Sequence, residues 1–320
     1  EQLILSYARD YGGASNRRPS IFLQELGFTD NLPERQLDSA RVFELVREVE
    51  VLSEPPQELT TTGKPLPVNR FSFSQLEGYD NCPLQYKFNF ILKVPVPDKA
   101  NIIYGRLMHR CLYEIFLPCL KSSSAVDLFG KSATPEYFNW PDWLNIYKKN
   151  WVDEGYSSSE EREQYYKLGE QSLRLIWQKV QDDGWPKVLG LEKQFTWKWE
   201  GFTLKGTIDR IDQLPDGRVE VIDYKTGQPK EKLDYKTKRQ LILYKMVAEE
   251  MLDRQVGKLT FCYLNNGNFL SFEAKASDID KVNHEIVTTI EAIKQGLFPA
   301  KPSQLCNYCD FRSICQFRQV

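Results

Sequence analysis

Apolar positions along the chain fall into two rhythms. Alternation with a period near two at 188–195, 206–214, 218–225, 258–264 and 269–272 predicts strands. Apolar residues three and four apart at 104–116, through most of 141–183 and at 239–252 predict helices. Ser72-Phe-Ser74-Gln-Leu-Glu77 opens a further helix, with Ser74 and Glu77 as its expected capping box. Near the start, Gln2–Asp10 reads as a strand with a polar end and Ser20–Leu26 as a short capped helix. Residues 121–140 read as a loop, and 53–70, with four prolines and three threonines, as a linker. Asn266-Gly267 between the last two strands is a strong hairpin signal. Strands interspersed with helices predict an α/β domain.

The most informative stretch is a second hairpin. Two alternating, β-branched-rich segments flank Pro215-Asp216-Gly217, a tripeptide suited to a tight turn. With those residues as the loop, Leu214 faces Arg218 and Asp209 lies across from Asp223, their Cβ atoms about 5 Å apart. Lys225 points the same way as Asp223, because side chains alternate along a strand. Two carboxylates on one face repel, and burying them costs several kcal/mol. A divalent cation between them removes that cost, and hard oxygen ligands suit magnesium or manganese. A solvated hairpin with a simple Asp–Lys pair accounts for the spacing equally well.

The 320 residues suffice for one large or two modest domains, and 41% hydrophobic content is ample for a core. No apolar run reaches the roughly 20 residues of a membrane span, and no signal-peptide pattern is present, so the expected location is the cytoplasm. The chain begins with Glu inside an apolar run, which suggests a piece of a longer protein. Net charge is −2, so a basic footprint over the whole chain is lacking. Charge is uneven, however. Lys225, Lys230, Lys232, Lys236, Lys238 and Arg239 stand against only Glu231 and Asp234, a local excess that could guide a phosphate backbone or simply face solvent.

Four of the seven cysteines form a pattern: Cys306-x-x-Cys309-x5-Cys315, with Cys82-Pro far upstream as the best fourth ligand. In a cytoplasmic chain this favours metal over disulfide, and both zinc and an iron–sulfur cluster accept four thiolates. Cys111, Cys119 and Cys262 lie in apolar stretches and read as core thiols. His109 follows Gly105 by four positions on a helix and taken alone fits a core or capping histidine; His284 has no motif around it. Trp151, Tyr165, Tyr166 and Trp177 could stack on bases, although aromatic residues in such helices more often form the apolar side.

Gly206-Thr-Ile-Asp209-Arg-Ile-Asp and Val221-Ile-Asp223-Tyr-Lys225-Thr-Gly resemble the RecB-like branch of the PD-(D/E)xK nucleases, and the likeness extends over roughly residues 70–320. The resemblance implies a mixed central sheet flanked by helices and metal-dependent hydrolysis of DNA, expected to be that of an exonuclease on single-stranded DNA. It implies that Asp209, Asp223 and His109 hold magnesium or manganese with the Tyr224 carbonyl, that Glu192 lies near the metal, and that Lys225 activates water or stabilises the pentavalent phosphate. Gln240 and Tyr244 match the Gln-x-x-x-Tyr motif of that branch, which braces the site or contacts DNA. One cysteine before the core and three after it resemble the AddB-type nucleases, which implies that Cys82, Cys306, Cys309 and Cys315 bind a four-iron four-sulfur cluster as a structural staple.

The first 27 residues, through Pro19-Ser20-Ile-Phe-Leu-Gln-Glu-Leu26, resemble the tail of a UvrD-like superfamily 1 helicase. The expected organisation is therefore a helicase remnant at 1–52, a linker at 53–70 and a nuclease domain at 71–320, working with a helicase in repair or recombination. No Walker A pattern occurs, so ATP hydrolysis is not expected of this chain. The competing readings are a CRISPR-adaptation-type exonuclease with the same motifs and cluster, and a DNA-binding module that does not cut.

Overall fold

A computed structural model of the protein describes residues 68–96, 99–124 and 139–319, without the side chains of 122–124. The helicase-like segment and most of the expected linker and of the 121–140 loop lie outside these residues. Strand β1 (Arg70–Ser72) runs directly into helix α1 (Phe73–Asn81). The capping box is Ser72 with Gln75, two residues before the expected pair. Ser72 Oγ accepts the Gln75 N–H at 3.3 Å, and Gln75 Oε1 accepts the Ser72 N–H at 2.8 Å. Ser72 ends a strand and so already has the extended backbone a cap requires, while a start at Phe73 buries both Phe73 and Leu76.

Next come α2 (Pro83–Tyr86), a π-helical turn (Lys87–Ile91), and the long helices α3 (Ala100–Ser124), α4 (Trp140–Asn150) and α5 (Ser159–Asp183). Strands β2 (Val188–Trp199), β3 (Phe202–Gln213) and β4 (Val219–Lys225) follow. Helix α6 (Tyr235–Leu252) crosses over to β5 (Val256–Tyr263), then β6 (Asn268–Phe272), α7 (Ala276–Lys294) and a 3-10 turn (Gln304–Tyr308). Helix α6 begins four residues before its expected start because Asp234 caps it, Oδ1 accepting the Thr237 N–H at 2.7 Å. Among the described residues no helix is long and apolar enough to cross a membrane.

The six strands form one mixed sheet. β2 lies antiparallel to nearly all of β3; on the other edge of β3, β1 pairs parallel near its start and β4 antiparallel near its end. β5 joins β4 in parallel and β6 closes the order antiparallel. One face of the sheet meets α1, α6 and α7 around Ile208, Val221, Leu241 and Ile286; the other meets α3, α4 and α5 around Met108, Trp143, Ile176 and Tyr224. β4 and β5 are covered on both faces, so they read as near-continuous apolar runs. Charged residues within β4 are therefore conspicuous.

Candidate active site

The hairpin forms in the expected register. Arg210 opposes Ile222 and Gln213 opposes Val219, which extrapolates to Asp209 opposite Asp223. The ladder stops one pair short of the carboxylates. There Asp209 Oδ2 takes the Tyr224 N–H at 2.7 Å, so a side chain replaces the partner the strand would have supplied. Asp209 and Asp223 are 7% and 3% exposed, which sets aside the solvated-hairpin reading.

Helix α3 brings His109 to this point. A Cβ at Gly105 would lie 3.3 Å from Thr226 Oγ1, so glycine lets α3 approach the end of β4 closely. One turn later His109 Nδ1 sits 3.3 Å from Glu192 Oε1 and 3.5 Å from Asp209 Oδ1. Glu192 lies on β2 between Leu191 and Lys193, which pair with Arg210 and Ile208, and so faces Asp209 across the strands. Its backbone is left-handed, with φ +43°. That conformation costs about 1–2 kcal/mol for a residue with a Cβ. Ligating atoms of His109, Glu192 and Asp209 come within 4.8 Å of one another, the one such group of three among the described residues.

Asp223 is held from the other side. Its Oδ2 lies 2.7 Å from Lys225 Nζ and its Oδ1 accepts from Gln240 Nε2 at 2.7 Å. Lys225 also donates to Gln240 Oε1 at 2.7 Å, and Gln240 Nε2 reaches Tyr244 Oη at 3.2 Å. One turn of α6 thus ties the Asp223–Lys225 pair to the sheet. The expected Gln240 and Tyr244 sit here as braces behind the carboxylates.

The electrostatics follow from burial of like charges. Burial, and then the charge of Asp223, push Asp209 up to about 7 against the pull of His109. For His109 burial acts downward, but its bond to Glu192 and the charges of Asp209, Glu192 and Asp223 outweigh it and raise it to about 9. Burial likewise opposes the charge on Lys225, yet Asp223 and Asp209 hold its ammonium above the usual lysine range. His109 and Lys225 are thus the basic counterparts of the clustered carboxylates. Behind Tyr224, the buried Arg210 donates to Tyr224 Oη at 3.2 Å and pairs with Asp212 Oδ2 at 3.0 Å, fixing the ring of the residue that follows Asp223 on β4.

Several other expectations fare differently. Much of the basic stretch after the hairpin is occupied by contacts within the protein: Lys230 pairs with Asp234 at 3.3 Å, Lys238 lies 5.1 Å from the Phe272 ring, and Lys236 donates to Asn81 at 2.5 Å. Arg239 is buried between Asp80 at 2.5 Å and Glu285 at 3.2 Å. Trp151, Tyr165, Tyr166 and Trp177 are half-buried among Tyr147, Tyr104 and Trp140, as the apolar sides of helices. Arg239, counted by its sequence with the phosphate-guiding residues, is instead a buried ion-pair partner beside Gln240. Sequence reasoning missed Arg106 and Arg110, which follow the helical spacing of His109.

All seven cysteines are free thiols, and Cys111, Cys119 and Cys262 are buried as expected. Cys82, Cys306, Cys309 and Cys315 line one cavity with Phe88 and Phe311, whose rings are 5.1 Å apart. No three of these sulfurs lie within 4.8 Å of one another.

With this geometry in hand, comparison with protein families decides the class: the PD-(D/E)XK nuclease superfamily model matches residues 70–316. The chain belongs to that superfamily. Its mixed sheet flanked by helices, with the hairpin carboxylates at the middle of the sheet, is the superfamily's architecture in this sequence. No protein of curated function matches the chain. Among solved structures, the fold is similar to that of a proposed exonuclease from Eubacterium rectale, at 11% identity and a TM-score of 0.46 over 90% of this chain and 96% of that one. It is also similar to the protein SSO0001, at 15% identity and a TM-score of 0.38 over 87% and 98% of the two chains.

Proposed function

We propose that the chain is a divalent-metal-dependent deoxyribonuclease acting on single-stranded DNA, an exonuclease that works with a helicase in repair or recombination in the cytoplasm. The observation that carries this reading is the convergence of His109, Glu192 and Asp209 beside the Asp223–Lys225–Gln240 bridge. The donor set fits magnesium or manganese: hard carboxylate oxygens and one imidazole, with buried negative charge for a cation to offset. Asp209, Glu192 and His109 would hold the ion, with Asp223 beside them and the Tyr224 carbonyl as a further ligand. When bound, such an ion supplies charge stabilisation to the phosphate oxygens and a more acidic water.

The chain's own residues do the rest. Lys225, kept protonated by Asp223 and Asp209, places positive charge where a phosphate gains negative charge, and serves better as a donor than as a base. Gln240 fixes Lys225 and Asp223 in one orientation through two 2.7 Å bonds, and Tyr244 limits the rotation of its amide. In the hydrolysis, a water oxygen joins phosphorus, the bond to the leaving oxygen breaks, and that oxygen gains a proton.

The reading includes a four-iron four-sulfur cluster held by Cys82, Cys306, Cys309 and Cys315, which line one cavity; four thiolates also suit zinc. The cluster would join the C-terminal turn to the end of α1. The test is cleavage of end-labelled single-stranded DNA with magnesium, manganese or EDTA, and Asp223→Ala as control. Metal-dependent cutting lost in the variant is expected; equal cutting by both proteins would sink the assignment.

A further inference from the structure

We propose that the outer face of α3 is the track along which a single strand of DNA reaches the His109–Glu192–Asp209 group, with Arg106 and Arg110 on successive phosphates and Tyr113 under a base. The inference deepens the nuclease reading and rests on it. Arg106, His109, Arg110 and Tyr113 stand three, four and seven positions apart along α3, which makes one stripe on the helix surface. All four line one open cleft of about 680 Å³, whose opposite wall is Leu191 and Glu192. Because His109 and Glu192 also belong to the metal group, this cleft opens onto the reacting centre.

The charge of the cleft fits a polyanion. Arg110 Nε bonds Glu114 Oε1 at 3.0 Å, and Lys149 Nζ reaches the other oxygen of Glu114 at 3.0 Å. Arg106 and Arg110 line the cleft opposite Glu192, and Lys149 stands beside Arg110 on the shared Glu114. Glu114 holds the Arg110 head in place without burying it, since that side chain is 65% exposed. One helical turn separates Arg106 from Arg110, about 6 Å of rise, comparable with the step between phosphates of an extended strand. The half-buried Tyr113 ring and the apolar Leu191 offer faces for an unpaired base. A duplex keeps its bases stacked inside and would leave those surfaces unused.

The experiment measures binding of a fluorescent oligothymidylate to the full chain in EDTA, as a function of salt, alongside cleavage with magnesium. Loss of one phosphate contact lowers the slope of log affinity against log salt by about 0.7 for a single strand. Arg106→Ala and Arg110→Ala are each expected to lower the slope by that amount. Tyr113→Ala is expected to weaken binding about tenfold without changing the slope. Lys294→Ala, on α7 across the sheet, is expected to match the wild type. If the wild type cuts DNA but slope and affinity are unchanged in all three α3 variants, the track is overturned and the nuclease reading stands. Tighter binding of duplex than of single strand also overturns the track. A wild type that neither binds nor cuts overturns both.

Discussion

The carboxylate site and the cysteine cavity draw on different parts of the chain and are supported in different ways. Asp209 and Asp223 come from one hairpin, aligned by a backbone ladder in the middle of a six-stranded sheet. Their neighbours lock them further: Gln240 from α6, His109 from α3, and the Tyr224 N–H. The cysteines come from the residue after α1 and from a C-terminal segment whose regular structure is one 3-10 turn. That segment has a single strongly buried anchor, Phe311, on Phe88. A site built on sheet and helix cores holds its geometry through packing, whereas a site built on a short tail depends on what it binds.

The comparison can be broken most sharply at Asp209. Asp209→Ala is expected to lower cleavage about a thousandfold or more while the fold survives. Its effect on stability has a definite sign. Burial and Asp223 raise the Asp209 carboxyl from 3.8 to about 7, so its ionisation erodes stability as the pH climbs between those two values, and the full cost persists above about 7. Melting of metal-free protein is therefore expected to shift upward in the variant at about pH 8 and much less at about pH 5. A large loss of melting temperature at both values would mean that the carboxylate site depends on its ligand set for folding.

Cys309→Ala tests the other half. Removing one of four ligands is expected to give colourless protein lacking iron and sulfide, with a C-terminal segment quickly cut by protease and a loss of several kcal/mol. Stable, brown, protease-resistant variant protein would show that the tail holds itself.

Arg239 links the two regions. It precedes Gln240 and is buried against Asp80, two residues before Cys82. Arg239→Ala leaves the carboxylates of Asp80 and Glu285 unpaired and is expected to cost roughly 3 kcal/mol. Because α6 loses its anchor beside Gln240, cleavage should fall together with stability. Full activity of the folded variant would separate the two sites.

The smallest expected effect lies at Glu192. Glycine adopts the left-handed backbone freely, so Glu192→Gly should leave stability within about 1 kcal/mol of the wild type. Manganese affinity, read by calorimetry, should nonetheless fall about tenfold or more. Equal affinity would remove Glu192 from the metal group.

Much of this site is legible in the sequence because it is local. The turn at Pro215-Asp216-Gly217 and strict alternation suffice to put Asp209 across from Asp223, and helical spacing suffices to align Gln240 with Tyr244. The position of the α1 cap was misplaced by two residues, since the cap depends on where β1 pairs with β3, a contact more than 130 positions away in the chain. The basic stretch after the hairpin reads as an open phosphate guide, yet Asp80, Asn81 and Glu285 come from distant segments to meet it. The left-handed Glu192 carries no mark in the sequence, because glutamate has no preference for that backbone.

By itself, then, the sequence determined the elements, the hairpin register and the ligand types on each, all set by interactions between residues close in the chain. Tertiary structure alone decided which charges meet: that His109 and Glu192 converge on Asp209, that much of the lysine-rich stretch is paired, and that Arg106 and Arg110 line the cleft. Those outcomes depend on how helices cross a twisted sheet, and burial, not spacing, fixes which charges must find partners.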